Sequence, residues 1–374
     1  MKKIIALILA LAFVLAFAAC GPEEPVDVEE EPNIGEIVSN ENLFRVGVIY
    51  NAEAASMDAD VLAHETGIAA MCDSLGLSDD QIVRAEAKVG EVQALQEAVE
   101  SCVNEGCGLI FGTDRGFAPA MVKAALEYPD VIFASVTDGE EYNGPENFST
   151  YSGKIYQAFY LEGVAAGMKT ESGVVGFVAP VEAPLSDINA FAIGLSRVNP
   201  EAVLLVKYSG ERFEPELERQ AAAALLDMGC DVIAQSCTSP VPGQEAEIRE
   251  VWACGYGAEV VNELPDAYLT APIWNWGVYY TRVTKAAMEH SYQGGDYYGG
   301  MEDGLVALVT PSKNCVKGTS GEINAAKTEL LAGTDVFDRE IVDNNGDIIN
   351  PEDGILSRDE ILNMDWYYRN IELW

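Results

Sequence analysis

The sequence predicts an α/β protein built as two successive Rossmann-like lobes, each a parallel sheet covered by helices. Three observations carry that expectation. Short apolar runs alternate with amphipathic segments, the pattern of strands buried on both faces between helices. The rhythm runs once, meets a long helical segment at 154–168, and starts over. The chain has 374 residues, 49% of them hydrophobic, enough for two domains with a sizeable core.

The elements follow in order. "RVGVIY" (45–50) reads as a buried strand by its short apolar run, 60–75 as a helix, and "CGLIFG" (107–112) as a second buried strand. "APAMVKAALEYP" is helical and "DVIFASV" (130–136) is a strand again. After the long helix "KIYQAFYLEGVAAGM" come "GVVGFVA" (173–179) as strand and "DINAFAIGLSRV" (187–198) as helix. "AVLLVKY" (202–208), "DVIAQS" (231–236) and "VWACGY" (251–256) are further strands, with "LERQAAAALLDMG" (217–229) helical between the first two. Two such units fit a bilobed binding protein whose ligand cleft faces the carboxyl ends of both sheets. A two-domain α/β enzyme alternates in the same way, and pattern alone leaves both open.

Ahead of the first strand, Lys2 and Lys3 precede an apolar stretch from Ile4 to Ala19, shorter than the roughly 20 residues a helix needs to span a bilayer. A basic start, an apolar middle and small residues at the end describe an export signal. It stops at Phe17-Ala18-Ala19-Cys20, the pattern of a bacterial lipoprotein signal except at Phe17, where Leu is usual. The alternative is an ordinary secretory signal that contains a cysteine. Residues 21–40, rich in Pro and Glu, read as a self-repelling tether of about 25–30 Å reach.

The 22 basic and 61 acidic residues give a formal charge of −39, a surface that repels nucleic acid and anionic head groups. Nucleic acid is therefore not an expected partner, and membrane contact falls to the lipid alone. Removing Cys20 leaves Cys72, Cys102, Cys107, Cys230, Cys237, Cys254 and Cys315, an odd set without a Cys-x-x-Cys pair. With only two histidines no zinc site is expected. Cys107, Cys230 and Cys254 adjoin apolar runs and read as reduced core residues, unusual for an exported protein unless its source is anaerobic.

Catalytic signatures are scarce. Neither a Gly-x-Ser-x-Gly elbow nor a P-loop occurs, and "GCGLIFG" lacks the strand-to-helix order of a dinucleotide fingerprint. His64, in "LAHETG", reads as a structural histidine, with a pocket role the alternative. "DNNGDIINPEDG" (343–354) offers Asp343, Asn345 and Asp347 at calcium-loop spacing, but Ile348 stands at the sixth position and Gly354 at the twelfth. It reads as an Asn-Gly and Asp-Gly hairpin.

Three stretches, "STYSGKIYQAFYLEGVAAGM" (149–168), "INAFAIGLSRVNPEA" (188–202) and "LTAPIWNWGVYY" (269–280), resemble the basic membrane protein family of purine-nucleoside-receptor-like lipoproteins. The resemblance runs from about Arg45 to the end and includes the tail "ILSRDEILNMDWYYRNIELW". It implies a non-enzymatic substrate-binding lipoprotein of an ABC importer, held on the extracytoplasmic face of the cell membrane. The implied fold is the bilobed type I periplasmic-binding fold, with permease and ATPase subunits as partners, a purine nucleoside or nucleobase as ligand, and no cofactor or metal. Alternatives are another small polar or aromatic metabolite, a tethered sensor module, or an extracytoplasmic hydrolase. The implied layout is a signal at 1–19, Cys20 and tether to 44, lobe one at 45–171 plus 276–293, and lobe two at 172–275 plus 294–374. The chain would cross near Ser172, Asn275 and Gly294.

The resemblance also implies ligand contacts. Asp60 stands where the family places a stacking aromatic before the first helix, and Arg212, beside Phe213, where it places a second. Thr238 takes the position of an acid after Ala-Gln, and Gly257 or Glu259 that of an acid after Gly-Tyr. Tyr50, Phe117, Asp138, Asn189, Trp274 and Asn275 are retained, and Asp58 and Asp114 complete the set. Trp274 is expected in the pocket and Trp276 in the core.

Overall fold

A computed structural model describes residues 43–51, 58–139, 143–351 and 354–374. The expected signal, Cys20 and nearly all of the tether lie outside these residues. From Leu43 to Trp374 the chain forms one compact unit. It contains the strands β1 (Arg45–Asn51), β2 (Ile82–Ala87), β3 (Cys107–Gly112), β4 (Ile132–Val136) and β5 (Phe148–Gly153), interleaved with the helices α1 (Ala59–Leu75), α2 (Val92–Asn104) and α3 (Ala118–Glu127). Then follow α4 (Tyr156–Lys169), β6 (Val174–Ala179), α5 (Leu185–Val198), β7 (Val203–Tyr208), α6 (Pro215–Asp227), β8 (Val232–Gln235), α7 (Val241–Ile248), β9 (Trp252–Ala253), α8 (Val260–Glu263) and β10 (Pro272–Trp274). The chain continues through α9 (Gly277–Met288), β11 (Gly295–Gly299), β12 (Val306–Leu308) and α10 (Thr319–Leu331). It ends with β13 (Ile341–Val342), β14 (Ile348–Asn350), α11 (Arg358–Leu362) and β15 (Ile371–Leu373).

Two parallel sheets result. The first has the order β11-β5-β4-β3-β1-β2 and the second β15-β7-β6-β8-β9. Central strands are apolar because helices cover both faces: Val48 and Phe111 on one face of the first sheet and Ile49 and Ile110 on the other are fully buried, as are Phe177 and Ala234 and, on the opposite face, Val178 and Ile233 in the second. β10 and β12 pair antiparallel as a separate ribbon on two of the chain's passages between the sheets.

Two expected boundaries move. Helix α4 packs on α5 and β12 and belongs to the second sheet's layer, so the first passage lies at Lys154 rather than Ser172. The two helices cross backbone to backbone, since a Cβ on Gly163 would meet Phe191 O at 2.0 Å and one on Gly194 would meet Tyr160 O at 1.9 Å. Glycine is required there by the close approach itself. Strand β11 pairs with β5, so the last passage follows Gly299 rather than Gly294. The middle passage runs through Asn275 into α9, which seats on α1 where Gly67 admits the Trp276 Cβ. The segment at 343–347 turns between β13 and β14 as an antiparallel hairpin, with Asp343 accepting from the backbone N–H groups of Asn345 and Asp347. All seven cysteines of the described chain are free, and five of them are buried.

Candidate ligand-binding site

Asn51 at the end of β1, the loops after β3, β4, β6, β7 and β8, and the first turns of α1 and α5 line two adjoining compartments of a cleft. This is where open parallel sheets bind ligands, because strand ends leave backbone and side chains free beyond the ladder. The first compartment, of about 590 Å³, is lined by Asn51, Asp58, Asp60, His64, Asp114, Arg115, Glu182, Glu211, Arg212 and Phe213. The second, of about 340 Å³, is lined by Thr137, Asp138, Ser186, Asp187, Ser236, Tyr256 and Tyr298 among others. Arg115, Arg212, Trp274 and Trp276 face both.

Asp60 is the hub of the charged groups. Its carboxylate accepts from the Tyr256 hydroxyl at 2.9 Å and lies 3.9 Å from both Arg115 and Arg212. Burial opposes its ionisation, yet the two guanidiniums and the Tyr256 hydrogen bond outweigh it and hold its pKa below the usual range. Arg115 also pairs with Asp138 at 2.5 Å, and Arg212 with Glu182 at 3.9 Å. Asp58 caps α1 by accepting from Asp60 N–H at 2.8 Å, and its other oxygen accepts from Thr238 Oγ1 at 2.8 Å. Burial, then the neighbouring Asp60 charge, pushes the Asp58 carboxyl up. The Ala59 N–H donates to Thr238 O at 3.1 Å, so these bonds fasten the second sheet's loops to the start of α1.

Aromatic side chains line the same cleft. Trp274 and Trp276 stack at 4.5 Å with planes 13° apart, and His64 stacks on Trp276 at 5.2 Å. Trp274 Nε1–H donates to Tyr256 Oη at 3.0 Å, which ties the indole to the Asp60 hub. His64 Nδ1 lies 2.6 Å from Tyr280 Oη, and burial lowers its pKa to about 4, so the ring is neutral at physiological pH. It is a satisfied buried histidine that also edges the first compartment.

The structure brings Asp58, Asp60, Asp114, Asp138, Arg212 and Trp274 to the cleft and leaves the other expected contacts elsewhere. Tyr50 packs beneath the first sheet and Phe117 is fully buried against α2 and α3. Asn189 is fully buried and holds the C-terminal segment, donating to Trp366 O and accepting from Tyr368 N–H. Thr238 is a fastening rather than a wall. Gly257, at φ +85°, passes so close to α1 that an added Cβ would meet the Ala59 Cβ at 3.0 Å, and Glu259 stands at the N-cap position of the short α8 without a side-chain capping bond. Asn275 donates to Gly304 O and opens onto a separate groove with α1 and α9. Trp276, expected in the core alone, is buried but also faces both compartments. Arg115, Glu182, Asp187, Ser236 and Tyr256 were not foreseen. The sequence signal of Arg115, Glu182, Ser236 and Tyr256 is position, just beyond the carboxyl end of a strand, whereas Asp187 lies in the first turn of α5.

Residues 79–334 match the family described as PnrA-like ABC transporter substrate-binding proteins. The chain belongs to this family. It is 37% identical over 225 residues to a Haloferax volcanii protein named "Putative ABC transporter glucose-binding protein", covering 60% of this chain and 57% of that one. It is 32% identical over 222 residues to a purine-binding protein of Brucella abortus, covering 59% and 63%. The matches thus span about three-fifths of each relative's length. The crystal structure of an ABC transporter solute-binding protein from Aeropyrum pernix superposes with a TM-score of 0.64 at 16% identity, over 85% of this chain and 95% of that one. The fold is that of type I periplasmic-binding proteins. Family members are solute-binding proteins, not enzymes.

Proposed function

We propose that the chain is the non-catalytic receptor of an ABC importer and captures a purine nucleoside or nucleobase in the cleft. The observation that carries this reading is the Trp274–Trp276 indole stack, which lines the same cleft as a cluster of carboxylates. An aromatic platform suits a planar heterocycle, and such pairs contribute about 0.5–1.5 kcal/mol beyond buried area. Carboxylates suit the N–H and O–H donors of a base and sugar. Asp58, Asp60, Asp114, Asp138, Glu182, Asp187 and Glu211 outnumber Arg115 and Arg212, a balance that favours a neutral or cationic ligand over a phosphorylated one. The purine-binding relative supports the same class.

A monosaccharide is the second reading, favoured by the carboxylates and by the name of the Haloferax relative. Native mass spectrometry of the freshly purified protein separates the two. A bound mass matching a purine base or nucleoside is expected, and a hexose in its place overturns the purine reading.

The receptor would sit beside its permease on the extracytoplasmic face, tethered through lipidated Cys20, as the abrupt end of the apolar run at that residue supports. Cys20→Ala protein is expected in the soluble fraction of cells whose parent protein sediments with membranes. Equal partitioning would remove the anchor from the account. Closure on ligand would draw on the passages between the sheets, with the β10–β12 ribbon as hinge.

A further inference from the structure

Residues after 334 lie beyond the family match, and the last of them, 354–374, hold on to both sheets. Their grip on the second sheet is extensive. β15 extends that sheet by pairing with β7, and Ile361, Met364 and Tyr368 are buried in its core. Asn189 of α5 donates to Trp366 O at 2.9 Å and accepts from Tyr368 N–H at 2.8 Å, and the Tyr208 and Tyr367 hydroxyls lie 2.8 Å apart.

Their grip on the first sheet comes from one short helix. Arg358 and Leu362 stand four residues apart and so share a face of α11. The Arg358 guanidinium donates to both carboxylate oxygens of Asp296 on β11, at 2.5 and 3.3 Å. It also donates to the carbonyl of Gly139, in the loop after β4, and lies over the Tyr298 ring 4.1 Å from its centroid. Leu362 packs on the same glycine, where an added Cβ would meet its Cδ2 at 2.7 Å. Ser357 and Glu360 form a capping box that fixes the start of α11, from which Arg358 reaches. Leu362 and Met364 line the second compartment of the cleft.

We propose that residues 354–374 are a strap, rooted on the second sheet and clamped to the first by Arg358 and Leu362, which holds the cleft shut along its second compartment. The inference goes beyond the receptor reading and does not depend on which ligand is bound. The chain's passages at Lys154, Asn275 and Gly299 are covalent links between the sheets, which bend but cannot part. The strap is a further link, and it is non-covalent. When the sheets separate on that side, either β15 leaves β7 or α11 leaves Gly139. The first breaks a backbone ladder and exposes buried apolar side chains. The second gives up an ion pair, one hydrogen bond and a leucine contact, so the clamp releases first. The Arg358 and Asp296 side chains are only 26% and 20% exposed, so salt screens their pairing in part.

Hydrogen exchange read by mass spectrometry on the parent, Arg358→Ala and Asp296→Asn proteins tests the strap. Both variants are expected to speed exchange in 357–364 by about 10- to 100-fold, the scale of losing hydrogen bonds to a charged group, while β15 and β7 keep the parent's rate. Asp296 lies on β11, so its effect on α11 cannot come from altering the helix itself. Small-angle scattering, on protein that native mass spectrometry shows to be ligand-free, should give both variants a larger radius of gyration than the parent. Should Arg358→Ala fail to fold, as judged by its melting curve, Asp296→Asn decides. Unchanged exchange in α11 overturns the clamp. Equal acceleration in β15 shows that the whole tail loosens, and overturns a strap rooted on the second sheet. Faster exchange in α11 with an unchanged radius overturns the claim that the clamp holds the cleft shut.

Discussion

Glu162→Met is expected to stabilise the protein by about 1–3 kcal/mol at neutral pH, the usual cost of a buried polar group without a partner. Glu162 lies in the middle of α4 and is fully inaccessible, and among the described residues neither carboxylate oxygen has a hydrogen-bond partner. Its neighbours are apolar helix and strand surfaces, so burial alone drives its pKa well above 4.5. The direction fixes the pH dependence. Below about 4.5 the carboxyl is protonated in both folded and unfolded chains and burial carries no ionisation cost. As pH rises past that value, the unfolded chain releases the proton while the folded chain keeps it, and stability falls. The gap between Glu162→Met and parent should therefore widen by up to about 1.4 kcal/mol per pH unit until the folded group itself ionises. Urea denaturation of both proteins at pH 5.5 and 8 reads this directly. A gap that stays constant, or a destabilised variant, would show that Glu162 is compensated in the folded protein.

Most strands were legible where helices cover both faces of a sheet. "CGLIFG" and "GVVGFVA" are apolar because nothing wet touches them, and they fold as β3 and β6. Strand β5, "FSTYSG", gave no such run because its polar side chains are satisfied by tertiary partners. Ser149 meets Tyr279 Oη and Thr150 donates to Asp296, both from much later in the chain. The allegiance of α4 was hidden for a related reason. Nearly every one of its side chains is buried, so no polar stripe marks which sheet it serves. The site divides the same way. Asp114 and Asp138 sit just beyond strand ends that local pattern locates, while Trp274 was legible only through the family resemblance. The pairing of Tyr256 with Asp60 joins the first turn of α1 to a loop residue 196 positions away in sequence, and only packing of the two sheets brings it about. Arg212 was legible as a cleft residue, but its partners Asp60 and Glu182 were not.

Trp274→Ala is expected to weaken ligand binding by about 30- to 1000-fold, the roughly 2–4 kcal/mol of a buried aromatic anchor. The indole borders both compartments, is held by Trp276 behind it, and is oriented by its bond to Tyr256. Trp274→Phe keeps a ring face while losing the Nε1–H donor, so it should fall between parent and alanine variant. Melting curves of all three separate loss of the platform from loss of the fold. The decisive measurement is a calorimetric titration of parent and Trp274→Ala proteins with the ligand that native mass spectrometry identifies in the purified protein. One site per chain, with affinity collapsing in the alanine variant while it remains folded, is the predicted result. An alanine variant that binds as tightly as the parent would place the ligand outside this cleft.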